Sequence, residues 1–190
     1  MTTTEERKKN LAKYEKALRK FGIDPTMLLE KYGRQLENST FTAKNMNNYD
    51  YDGSLLEIVI NVLTPYAMKL NELLPEDCRV PKDSLAKVCL LHHIAKCIRI
   101  IPNDVPWEIE KRGIKYKYDP DQPSIKTGFH SLLMCQECGI TFTTEEGEAM
   151  IVNDRDPLDD QARWHSSTFA TIVKMANELT YVQLLNTTVE

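Results

Sequence analysis

The residues best suited to chemistry in this chain sit in one apolar stretch, Leu90-Leu91-His92-His93-Ile94-Ala95-Lys96. Two imidazoles inside an aliphatic run must find polar partners, because burying an unpaired polar group costs free energy. Imidazole can ligate a metal, move a proton near neutral pH or donate to an anion. With Lys96 one helical turn on and a further imidazole at His130, the set His92, His93, Lys96 and His130 is a candidate for holding an anionic small molecule without metal. The plainer alternative is a pair of hydrogen-bonded core histidines.

Other constellations are weaker. Cys135-Gln-Glu-Cys138 has the spacing of half a zinc site, but no second Cys-x-x-Cys completes four ligands, so packing is the better reading. Cys89, His93 and Cys97 recur every four residues and would share a helical face, which suits a soft metal or, more simply, a core. The acidic run with Asp154, Asp156, Asp159 and Asp160 lacks the glycine and closing glutamate of a calcium loop and reads as a turn. The chain contains neither a Gly-rich phosphate loop nor a Gly-x-Ser-x-Gly nucleophile turn, so covalent hydrolase schemes have no support.

The elements that must position these side chains are mostly helices. Leu11, Tyr14, Leu18 and Phe21 have helical spacing, with Gly22 as a stop. Asp24-Pro25 then opens a second helix to about Glu37, giving an N-terminal hairpin. Its seven basic residues up to Lys20 outnumber three acidic ones but read as a solvated face. A polar loop leads to Ser54 as a cap for a helix over 55–74, which Pro65 should kink or divide. Lys82-Asp83-Ser84 begins a central helix running towards Ile101. Alternation from Trp107 to Tyr118 around Arg112-Gly113 predicts the one β-hairpin, at about 107–118. A helix over about 124–139, a Thr143 to Glu146 capping box and a last long helix capped by Ser166 or Ser167 complete the order. The expected fold is all-α with one small hairpin, organised as residues 1–50 (helical hairpin and loop) and 51–190 (helical domain) in one compact unit.

The histidine segment resembles the Leu-Leu-His-Asp-Ile-Gly-Lys motif of the HD-domain phosphohydrolase superfamily, in which His and Asp ligate a divalent metal that activates water against a phosphoester. Upstream, Asp52-Gly-Ser-Leu-Leu-Glu-Ile-Val-Ile-Asn-Val62 is similar to a Gly-Gly-Leu-Leu-Glu-His-Ser-Leu-Asn-Val helix of one branch. The later elements through Met175-Ala-Asn-Glu178 follow that branch's order, so the resemblance spans about residues 52–181 and implies an HD-like helical bundle.

Carried across position by position, however, the resemblance implies a site without its ligands. The first family histidine falls on Ile58, the motif aspartate on His93, the histidine before the next helix on Thr127, a later histidine on Asn153 and the closing aspartate on Asn177; His92 alone keeps a family ligand. The vestigial pocket is therefore Ile58, His92, His93, Thr127, Asn153 and Asn177. A hard dication needs anionic oxygen donors, which this set does not contain, and a bound water would not be acidified effectively. No metal or other cofactor is expected, and the leading expectation is a pseudoenzyme acting as a binding or regulatory module. An atypical phosphohydrolase using a divalent metal, with His92, His93 and His130 joined by Glu57, Asp154 or Glu178, is the enzymatic alternative.

Composition bounds the partners. At 42% hydrophobic and 27% charged residues the chain is an ordinary globular mixture. A net charge of −4 offers no general field for nucleic acid or anionic membrane, and no apolar run approaches the roughly 20 residues a membrane span requires. Five cysteines without an apolar leader suggest reduced thiols and a cytoplasmic location. A small molecule or another protein remains as the partner.

Overall fold

The computed structural model describes residues 2–43, 49–154 and 166–186. Helices α1 (Thr4–Lys20) and α2 (Thr26–Asn38) form the N-terminal hairpin. Thr3 caps α1 through a capping box with Glu6, and the turn closes at Gly22 with φ +74°. Asp24 caps α2 from just outside, its Oδ1 accepting from the Thr26 amide at 3.1 Å. The hairpin packs on the rest of the chain: the fully buried Tyr14 donates its hydroxyl to the Leu90 carbonyl at 2.9 Å, and Lys31 pairs with Glu137 at 2.7 Å.

The helix expected over 55–74 is divided as Pro65 requires. It runs as α3 (Ser54–Ile58), a π-turn (Val59–Leu63) and α4 (Thr64–Leu73) with Pro65 in its first turn. Proline supplies no amide and its ring crowds the preceding turn, so the chain widens there; the Val59 carbonyl accepts from the Thr64 amide and, at 2.8 Å, from the Thr64 hydroxyl as well. Ser54 does not cap α3. Gly53, at φ +87°, holds the cap position, and Ser54 Oγ instead accepts from the Phe41 amide at 2.9 Å.

Two other expectations are corrected. The central helix stops early: α5 covers Lys82–Leu91, residues 92–95 form a turn, and α6 is only Lys96–Arg99. Amides of Ile94, Lys96, Cys97 and Ile98 reach back three residues rather than four, while the Ala95 amide donates to Ser131 Oγ at 3.0 Å. A side chain from outside thus takes the place of a helical acceptor, and the ladder tightens around it. The small antiparallel pair is present but does not span 107–118. Its strands are β1 (Ile100–Pro102) and β2 (Tyr116–Tyr118), with Ile101 opposite Lys117. Between them α7 (Pro106–Arg112) uses Pro106 at its start and ends at left-handed Gly113. The alternation from Trp107 is therefore the face of a short helix.

The remainder is α8 (Thr127–Glu137), α9 (Thr144–Ile151) with its Thr143–Glu146 capping box, and α10 (Thr168–Asn186), where Ser167 Oγ accepts from the Ala170 amide. α10 packs on α4 and α9, and α5 is enclosed by α4, α9, α10 and α1. Leu85, Val88, Cys89 and Leu91 on α5 are completely buried at the centre. Among the described residues no helix is long and apolar enough to cross a membrane. The acidic run through Asp156, Asp159 and Asp160, read from sequence as a turn, lies outside the described residues, as does the Asp154 side chain.

Candidate functional site

The turn after α5 brings the two imidazoles together, their planes tilted by 38°. Ring centroids of His92 and His93 are 3.7 Å apart, and the two residues are 1% and 5% exposed. Each faces an asparagine from a distant element. His93 Nε2 lies 2.8 Å from Asn177 Oδ1 on α10, an oxygen that only accepts, so Nε2 carries the proton. Asn153 Nδ2 lies 3.3 Å from His92 Nε2, so this nitrogen accepts and Nδ1 holds the hydrogen. Nδ1 of both His92 and His93 is buried without a hydrogen-bond partner, while an interaction with the Cys89 backbone favours the protonated His92 ring slightly.

Burial dominates the electrostatics. It holds the His92 pKa down to about 3, with Lys96 adding repulsion. It pushes His93 well below the ordinary value, helped by His92 and Lys96 and opposed by the Asn177 bond. Both rings are therefore neutral at physiological pH. Lys96, 6% exposed, is lowered to about 7 by desolvation alone. Its amine donates to the Phe41 carbonyl at 2.8 Å and to the Tyr181 hydroxyl at 3.1 Å, and it sits 3.7 Å from the Phe41 ring centroid. Phe41 also meets His93 edge to face, with ring centroids 5.0 Å apart.

Four of the six positions singled out by the resemblance, His92, His93, Asn153 and Asn177, thus meet through hydrogen bonds and ring contact. Ile58 is a buried core residue, 1% exposed. Thr127 is the first residue of α8 and half-buried. Among the described residues neither Thr127 nor His130 makes a hydrogen bond or ring contact to the histidine pair. The charged neighbours of His130 are Arg99 and Glu137, so His92, His93 and Lys96 form one group and His130 another. Of the carboxylates considered for an atypical site, Glu57 accepts from the Tyr51 hydroxyl at 3.0 Å and Glu178 is exposed, while the Asp154 side chain lies outside the described residues.

Among the described residues no three His, Cys, Asp or Glu side chains gather as a metal-holding group. The donor set beside His92, two neutral imidazoles and two carboxamides next to a lysine amine, does not fit a hard dication. Cys89, Cys97, Cys135 and Cys138 are buried thiols, and burial pushes Cys89 and Cys97 up to about 12, which keeps them protonated and unreactive. The break after α5 also ends the four-residue repeat that would have put Cys89, His93 and Cys97 on one helix face.

Phe41 and Tyr181 are the two members that sequence reasoning missed. An aromatic between two threonines in an otherwise polar loop is the one signal that Phe41 turns inward; Tyr181 looked like an ordinary helix residue. A cavity of about 540 Å³ opens elsewhere, lined among others by Ile23, Met27, Lys87, Ile140 and Glu146. Its most buried charges already satisfy each other, since Lys87 and Glu146 pair at 2.8 Å.

Comparison of the chain with protein-family models, with curated proteins and with solved structures finds no match in any of the three.

Proposed function

We propose that this chain is an HD-like helical protein in which metal-dependent phosphohydrolase chemistry has been replaced by a neutral hydrogen-bonded core, and that it acts as a binding or regulatory module. The observation that carries this reading is the His93–Asn177 contact at 2.8 Å, across 84 positions of sequence. It joins two residues that the resemblance assigns to ligand positions, and it does so with a carboxamide in the place of a carboxylate. A carboxamide preserves the size and hydrogen bonding of an aspartate without the anionic charge a dication needs. Neutral imidazoles at physiological pH fit the same account, because a buried ring with no anionic neighbour has nothing to stabilise its cation.

Metal analysis of the purified protein, after growth and after incubation with Mn²⁺, Fe²⁺, Zn²⁺ or Mg²⁺, tests the reading. The expected result is no stoichiometric metal and no phosphoesterase activity that depends on His92. Stoichiometric metal lost in His92→Ala, with chelator-sensitive hydrolysis of a phosphoester, would establish the enzymatic alternative instead.

A metal-free anion site at His92, His93 and Lys96 is favoured by the Lys96 amine, which has no carboxylate partner among the described residues. Thermal stabilisation by phosphate or nucleotides that disappears in Lys96→Ala is the outcome that distinguishes it.

A further inference from the structure

The cavity of about 540 Å³ lies where the α1–α2 turn, the start of α5 and the link from α8 to α9 meet. Its size is that of a small-molecule site. Two of its lining residues, Gly22 and Gly139, have no side chain, and a Cβ built on either meets no atom within 4 Å. The wall has two characters. Ile23 and Ile140 give it buried apolar residues, and Met27 adds a thioether side chain that is 56% exposed.

The other character is negative charge. Three carboxylates line the cavity, Asp24, Asp83 and Glu146, against the single cation Lys87. Lys87 is already engaged, by Glu146 at 2.8 Å and by the Phe142 ring, whose centroid is 4.8 Å away. Asp24 is exposed, accepts from Thr26 and lies 3.6 Å from Arg19. Asp83 is also exposed and has no hydrogen bond or ion pair among the described residues. Asp83 and Glu146 stand in the first turns of α5 and α9, so each sets a full negative charge against the partial positive charge of a helix start.

That wall selects among ligands. An anion would face three carboxylates with the one ammonium occupied. A metal ion needs several donors converging on one point, and no three His, Cys, Asp or Glu side chains gather in that way among the described residues. A cation carried on an apolar body matches both characters, since its body covers Met27 and the two isoleucines while its charge stays beside an accessible carboxylate.

We propose that this cavity binds a small organic amine free in solution, a primary ammonium on an aromatic or branched apolar body, with Asp83 as the partner of the ammonium. Asp24 adds attraction over a longer range. None of the lining residues belongs to the histidine group, so this site stands or falls apart from the question of metal at His92.

The test titrates the ¹⁵N-labelled full chain with phenethylamine at constant neutral pH and follows the backbone amides of Gly22, Gly139 and Ile140. Phenethyl alcohol keeps the body without the charge, phenylacetate reverses the charge, and ethylamine keeps the charge on a minimal body. The expected result is saturable shifts with phenethylamine, about tenfold weaker binding of ethylamine and of phenethyl alcohol, and none of phenylacetate. Asp83→Asn, at an exposed position, should weaken phenethylamine about threefold or more, whereas Asp77→Asn, an exposed carboxylate outside the cavity, should leave it unchanged. Absence of saturation with phenethylamine overturns the proposal. Equal binding of the alcohol, binding of phenylacetate, or an unchanged affinity in Asp83→Asn overturns the selection for a cation.

Discussion

The Lys96 amine sits 3.7 Å from the ring centroid of Phe41 and donates to the carbonyl of that same residue at 2.8 Å. One loop residue thus supplies both a π-face and a dipole to a buried cation, with the Tyr181 hydroxyl as the third partner. These contacts only partly offset desolvation, which is why the amine is lowered from 10.5 to about 7.

A pH dependence of stability follows. Between about 7 and 10.5 the unfolded chain binds a proton at Lys96 that the folded chain does not, so this group makes stability rise with pH through that window, by at most about 1.4 kcal/mol per pH unit. Buried Cys89 and Cys97 act in the opposite direction above their ordinary value of 9.0. Urea unfolding of wild type and Lys96→Met at several pH values separates the two: the difference in stability between them should shift in favour of wild type as pH rises from 7 to 10.5. A constant difference would show that the amine is not desolvated.

His92 predicts acid sensitivity. Its folded pKa of about 3 lies below the ordinary 6.5, so its contribution is fully present above 6.5 and is lost as pH falls from 6.5 towards 3. In ¹⁵N NMR the ring should keep the shifts of a neutral imidazole below pH 6.5 until the protein unfolds. His92→Gln should unfold at lower pH than wild type, provided its stability at neutral pH is matched in the comparison.

Asn177→Leu should destabilise by about 1–3 kcal/mol, because it leaves the buried His93 Nε2–H without an acceptor. Replacing both residues by apolar ones, as His93→Leu with Asn177→Leu, should cost less than the sum of the two single changes. Additive losses in this double-mutant cycle would show that the pair is not coupled.

Glu146 is 3% exposed, pairs with Lys87 at 2.8 Å and closes the capping box of α9 through the Thr143 amide at 2.9 Å. Glu146→Ala, measured by chemical denaturation at neutral pH, should lose about 3 kcal/mol or more, since it strands a partly buried ammonium and uncaps a helix. Glu146→Gln keeps the cap and should lose less.

Gly53→Ala should destabilise by about 1–2 kcal/mol, as φ of +87° disfavours any side chain and the new Cβ would press on Arg7 at 2.7 Å. A thermal melt reads this directly. It should also perturb the Arg7 Nε–H resonance, which a purely local turn effect would leave alone.

Signals that act within a few residues were legible in the sequence. The capping box at Thr143–Glu146, the stop at Gly22, the division at Pro65 and a serine cap of the last helix at 166 or 167, which the structure assigns to Ser167, all rest on backbone geometry and near-neighbour hydrogen bonds. So did the mostly helical class, because a 3.6-residue apolar period needs no knowledge of the partner surface. The His92-His93 doublet was singled out for the same reason: two polar groups in an apolar run are conspicuous before any partner is known.

What only the tertiary structure decided came from contacts distant in sequence. Ser131 takes the Ala95 amide and ends a helix whose own residues would have continued it. Ile100–Pro102 becomes a strand because Tyr116–Tyr118 lies beside it, not through its own pattern. Asn153 and Asn177 reach the histidines across 61 and 84 positions, and Phe41 and Tyr181 close over Lys96 from 55 and 85 positions away. Local propensity acts over one or two turns, whereas burial, and with it the protonation of His92, His93 and Lys96, exists only once those distant segments have packed.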